Sequence, residues 1–151
     1  MRIAIIAPGS RGDVQPYLAL GKGLQGAGHD VRLLTHENFE NLVKTQQLEY
    51  WPLRGNAQEV AESQEMRDLL EKGNFLAIAA FQAKAAQRAA LEWAEDGLAA
   101  CQNVEMIIAG IGGLFLGLSF AELLRVPLLQ AYYVPFTPTK AFPGALAPQP
   151  S

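Results

Sequence analysis

Apolar residues in this chain fall into short continuous runs, separated by longer stretches with helical spacing. Residues 2–7 read as a buried strand: continuous, apolar after Arg2, and rich in isoleucine. From Val14, apolar positions recur at Tyr17, Leu18, Gly21 and Leu24, which is one face of a helix. Pro16 fits only the first turn of that helix. Gly26 and Gly28 offer its stop. Asp30 to Thr35 reads as a second strand, Phe39, Leu42 and Val43 mark a helix over 37–47, and Leu48 to Leu53 reads as a third, short strand.

The pattern then changes. Residues 57–72 are acidic and polar, with apolar contacts at Val60, Ala61, Leu69 and Leu70, as in a surface helix. Phe75 to Ala100 predicts a long alanine-rich helix with Phe75, Ile78, Ala79, Ala86, Ala89 and Trp93 on one face. Val104 to Ala109 is another buried strand and Val126 to Tyr133 a further one. Between them, Leu114 to Leu124 is apolar nearly all round, so it is expected to be covered on both sides. Strands alternate with helices, and the strand runs are continuous rather than alternating. That predicts an α/β fold: a Rossmann-like parallel sheet with helices on both faces and right-handed crossovers. No internal repeat is visible.

Composition narrows the function classes. The chain has 151 residues, 50% hydrophobic and 18% charged, a globular balance with enough length for a real core. A net charge of −3 argues against strong attraction to nucleic acid. The single cysteine, Cys101, excludes an internal disulfide and a multi-cysteine zinc site, and reads as a small packed residue near a helix end. His29 and His36 are isolated, so no metal site is expected. No secretory signal is visible, and the uncharged run from Met106 to Ala121 is shorter than the ~20 residues of a membrane span. A cytoplasmic location is expected. Residues 1–134 are expected to form one domain. Residues 135–151 read as a proline-rich tail, truncated before the rest of the protein, and hold five of the nine prolines.

Chemistry concentrates in Gly9-Ser10-Arg11-Gly12-Asp13-Val14-Gln15-Pro16, between the first strand and the first helix. In open α/β sheets, ligands gather at the carboxyl ends of strands. Asp13 there can act as a general base, with Gly9 and Gly12 allowing a sharp turn and a close ligand approach. It can equally cap the helix, or pair locally with Arg11. If Asp13 is the cap, the third helical residue is Pro16, which has no N–H, so only Gln15 could donate. The dinucleotide fingerprint G-x-G-x-x-G is absent here, and Gly110-Ile111-Gly112-Gly113-Leu114-Phe115 ends in phenylalanine where it needs glycine. Arg11-Gly12-Asp13 as an adhesion triplet is a chance match. His36 ends the second strand at the ligand edge, as a lining residue or a plain loop histidine; His29 lies at the opposite edge and is structural. Glu122 is assigned no function.

The run from Gly9 to Gly21 resembles the start of the sterol and antibiotic glycosyltransferases, as does Gly28-His29-Asp30-Val31-Arg32-Leu33-Leu34-Thr35-His36-Glu37-Asn38-Phe39. The tail Thr137-Pro138-Thr139-Lys140-Ala141-Phe142-Pro143 resembles the sterol glucosyltransferase-like branch. These are two-domain GT-B enzymes whose amino-terminal part is the family 28 glycosyltransferase domain. The resemblance is specific in the first forty residues and the tail, and loose across 55–105. It implies an acceptor-binding amino-terminal domain and a second domain that binds most of a UDP-sugar. It implies inverting transfer of a hexose to a hydroxyl of a sterol-like or other lipophilic acceptor, without metal or other cofactor. It makes Asp13 the catalytic base and puts Arg11 and Ser10 in the same cleft; Gly9, Gly12, His36 and Thr137 are expected at the substrate beside them. This chain alone would then be inactive. Its implied partners are the donor, the acceptor and its own second domain, with peripheral membrane contact left open. The alternative reading is a non-catalytic Rossmann-like binding module.

Overall fold

A computed structural model describes residues 1–55, 63–73, 75–135 and 138–140, with some side chains of the helix over 75–100 outside that description. The expected contacts at Val60 and Ala61, the helix-face positions Phe75, Ala79, Ala86 and Ala89, and the end of the tail lie outside the described residues.

The elements are β1 (Arg2–Ile6), α1 (Arg11–Gly26), β2 (Asp30–His36), a 3-10 turn (Glu37–Phe39) running into α2 (Glu40–Thr45), β3 (Glu49–Leu53), α3 (Gln64–Glu71), α4 (Phe75–Ala100), β4 (Met106–Ala109), α5 (Leu114–Leu124) and β5 (Leu128–Gln130). The five strands form one sheet in the order β3-β2-β1-β4-β5. Every pairing is parallel, with Ile5 opposite Leu33 on one side and Ile108 on the other. The expected Rossmann-like α/β architecture is therefore the one observed.

Alternation along β1 decides which side chain meets which layer, because successive residues point to opposite faces. Ile3 and Ile5 join Val31 and Leu33 against Val14, Tyr17 and Leu18 of α1 and Val43 of α2. Ala4 and Ile6 join Leu34, Ile107 and Ala109 against Ala100, Cys101, Phe120 and Ala121 on the other face. Cys101 is fully buried directly after α4, as its small apolar character predicts.

Three expectations need correction. First, α1 starts at Arg11 rather than Val14, with Ser10 as its N-cap. Pro16 is then the sixth helical residue and lies beyond the first turn. Lacking an N–H, it cannot donate to the Gly12 carbonyl, which sits at an exposed position. Second, β5 is only three residues long. After Ala131, whose N–H still bonds the Ala109 carbonyl at 3.0 Å, the chain leaves the sheet. Third, α5 is covered on one side only by the described residues. Gly117, Phe120 and Ala121 are buried, while Phe115, Leu118 and Leu123 are exposed.

Candidate functional site

Strand order creates the site. From β1 the chain runs outward to β2 and β3; from β4 it runs the opposite way to β5. This reversal of strand order at the carboxyl ends of β1 and β4 is the place where open α/β sheets hold ligands, in the crevice between the two loops. The floor of that crevice is tight. A Cβ on Gly112 would come within 2.8 Å of the Pro8 carbonyl oxygen, and one on Gly113 within 2.6 Å of that of Ile6. The glycines of 110–113 thus serve close packing of one loop against the other.

Asp13 stands at this crevice, in the first turn of α1. Its Oδ2 accepts from the Ser10 backbone N–H at 2.7 Å and from the Ser10 hydroxyl at 2.8 Å. The first of these contacts is half of a capping box, with Asp13 as the third helical residue answering the cap. Asp13 therefore does contribute to capping, but from inside the helix, so the absent Pro16 N–H does not weaken it. Gly9 makes room for this arrangement: its φ is +132°, and a Cβ there would lie 2.5 Å from Asp13 Oδ2.

The other carboxylate oxygen meets a distant residue. The Tyr133 hydroxyl donates to Asp13 Oδ1. Tyr133 lies just past β5, where the chain has left the sheet, and its ring stands edge-on to Tyr17 with centroids 5.9 Å apart. The Tyr17 hydroxyl donates to the Ala131 carbonyl at 2.7 Å, pinning the same segment to α1. Gly110 is required beneath it, since a Cβ there would fall 1.5 Å from the Tyr17 hydroxyl.

These contacts set the charge state. Partial burial raises the Asp13 pKa, but the hydrogen bonds from Tyr133 and Ser10 reverse this and hold it below the ordinary 3.8. Asp13 is thus ionised at neutral pH. Burial and then the nearby Asp13 charge push Tyr17 up to about 12. Tyr133 rises too, from burial and from its bond to the same carboxylate. Both phenols keep their protons and act as donors.

The other expected site residues separate. Gly9, Ser10 and Gly12 share the turn with Asp13, and Arg11 is exposed at the first helical position. His36 does sit at the carboxyl end of β2, but it is fully buried. Its Nδ1 lies 3.3 Å from the Leu53 carbonyl, and its ring packs 5.2 Å from that of Trp93 on α4. The α4 layer covers it, so the structure does not present it to a ligand. Thr137 lies outside the described residues. Tyr133 is the side chain at Asp13 that sequence reasoning missed. Its one available signal was a polar aromatic at the ligand-side end of the last predicted strand.

Among the described residues, no three His, Cys, Asp or Glu side chains gather as a metal site would require. No described helix is long and apolar enough to cross a membrane.

The sequence pattern of the glycosyltransferase family 28 N-terminal domain matches residues 3–143. A sterol 3-beta-glucosyltransferase of Sclerotinia sclerotiorum is 36% identical over 97% of the chain, and one of Aspergillus fumigatus is 36% identical over the same share. The chain spans 10% of the length of each of these relatives. Among solved structures, the SsfS6 glycosyltransferase of Streptomyces sp. SF2575, complexed with thymidine diphosphate, superposes with a TM-score of 0.66 at 23% identity, over 91% of this chain and 40% of that one. The calicheamicin glycosyltransferase CalG4 superposes with a TM-score of 0.65 at 16% identity, over 94% of this chain and 34% of that one. At these identities the two structures speak for the fold.

Proposed function

The chain belongs to the glycosyltransferase family 28 N-terminal domain family, and on that premise we propose that it is the acceptor-binding half of an inverting sugar transferase with Asp13 as general base. One observation carries the reading: an ionised, partly exposed carboxylate is held by three hydrogen bonds at the crevice between β1 and β4. The acceptor hydroxyl gives its proton to Asp13 while its oxygen bonds to the anomeric carbon. The bond from that carbon to the diphosphate breaks, and its electron pair leaves on the nucleoside diphosphate. A carboxylate with a lowered pKa is a weak base toward a free alcohol. Its proton therefore arrives only as the new C–O bond makes the acceptor oxygen acidic.

The donor is a UDP-sugar held mainly by a second domain, and the acceptor is a sterol-like or other lipophilic alcohol. The sterol 3-beta-glucosyltransferase activity named for the fungal relatives supports the acceptor class, and the thymidine diphosphate bound by SsfS6 supports a nucleoside diphosphate donor. Phe115, 81% exposed in the first turn of α5 on the same edge of the sheet, is an apolar surface suited to such an acceptor.

The test is Asp13→Asn in the full-length protein. The base reading expects turnover to fall on the order of a thousandfold with acceptor affinity little changed. The contact from Ser10 N–H to Asp13 favours one rival, a binding module in which Asp13 only caps α1. Unchanged turnover with a lowered melting temperature would establish that rival.

A further inference from the structure

The Asp13 carboxylate has about four positions that can accept a hydrogen bond, two on each oxygen. Among the described residues, Ser10 fills both on Oδ2 through its N–H and its hydroxyl. Tyr133 fills one on Oδ1. The remaining position is therefore on the oxygen that Tyr133 holds. We propose that Tyr133 is a positioning residue, whose hydroxyl fixes Oδ1 so that the fourth position receives the acceptor's O–H. This rests on the reading of Asp13 as the base.

The placement of Tyr133 is built by several parts of the fold. Its ring leans edge-on against Tyr17 at an interplanar angle of 75°. Two residues earlier, the Ala131 carbonyl accepts from the Tyr17 hydroxyl. Tyr17 can reach that carbonyl because Gly110 has no side chain. An aromatic residue on α1 thus fixes the segment after β5, and that segment in turn fixes a carboxylate on α1.

Tyr133 also biases the charge on Asp13, since a donor to the ionised form favours it. Among the described residues, the titratable groups facing Asp13 are Tyr133 and Tyr17, both phenols that stay neutral. Arg11 is the one charged side chain in the same helical turn. The abutting loop over 110–113 carries no titratable group.

The experiment is Tyr133→Phe in the full-length protein, with sugar transfer followed across pH. It keeps the ring and removes only the hydroxyl. kcat is expected to fall about fivefold to tenfold with the acceptor KM little changed. The acid limb of kcat/KM is expected to move to higher pH, which a purely structural role would not cause. An acid limb left where it is in the wild type overturns the proposal. Asp13→Asn, measured beside it, separates the two readings. Retained turnover in that variant would remove the base, and Tyr133's role with it. Lost turnover there, together with an unmoved limb in Tyr133→Phe, rejects the Tyr133 role alone. If Tyr133→Phe does not fold, Tyr17→Phe carries the test. Freeing Ala131 should move the limb the same way by less, and no movement counts against the proposal.

Discussion

The Tyr133 hydroxyl donates to Asp13 Oδ1 across 120 residues of chain. That single bond joins the exit of the last strand to the first turn of the first helix, over the crevice where β1 and β4 part. It makes the carboxylate a product of the whole domain, because the turn after β1 supplies only its other oxygen's partners. Perturbations at positions remote in sequence should therefore reach Asp13.

Gly9→Ala tests the turn directly. The backbone φ of +132° is strained for any side chain, and the new Cβ would press on Asp13 Oδ2. The variant should lose about 1–2 kcal/mol of stability. Turnover should fall by roughly tenfold or more, because the carboxylate is pushed out of place. Thermal unfolding and initial rates read the two effects separately.

Gly110→Ala tests the support under Tyr17. Its Cβ would overlap the Tyr17 hydroxyl, forcing that group away from the Ala131 carbonyl. A stability loss of about 2 kcal/mol is expected, within the usual range for overpacking. Combined with Tyr17→Phe, the loss should be less than additive, since the nearest clashing atom is gone. Strict additivity in denaturant unfolding would contradict the coupling.

Ser10→Ala removes the N-cap hydroxyl that donates to Asp13 while leaving the backbone donor. About 1 kcal/mol of stability should be lost, as for other caps. Without that donor the Asp13 pKa rises, so the acid limb of sugar transfer should move up in pH. A limb that stays in place would show that the hydroxyl does not act on the carboxylate.

His36→Leu tests the buried imidazole. Burial lowers its pKa from the usual 6.5, opposed by hydrogen bonding to the backbone of Leu53 and Gly55. Well above pH 6.5 neither the folded nor the unfolded form carries the proton. As the pH falls below that value, the unfolded chain takes it up first, so stability declines until the lowered folded pKa is passed. The leucine variant should lose this part of the slope in unfolding measured at successive pH values. An unchanged slope would assign it to other groups.

Much of this molecule is legible without coordinates. The continuous apolar runs at β1 and β4 identify strands buried on both faces, and Val14, Tyr17, Leu18 and Gly21 identify the inner stripe of α1. Local periodicity carries that information because each backbone geometry repeats its side-chain directions at a fixed interval. Element ends were less legible. The apolar period of α1 begins only at Val14, yet Arg11, Gly12 and Asp13 before it are helical and their first turn is held by Ser10 and Asp13. β5 stops early because Ala131 and Tyr133 are drawn to α1.

The sequence by itself determined the layered α/β architecture, the glycine-bracketed turn and the acid within it. Those depend on residues close together in the chain. Only the tertiary structure decided what surrounds that acid. His36, at the expected edge, is sealed under Trp93, whereas Tyr133 reaches the carboxylate from beyond β5. The reason is strand order: the β3-β2-β1-β4-β5 arrangement brings the ends of β1 and β5 toward one crevice, and no local pattern encodes which distant side chain arrives there.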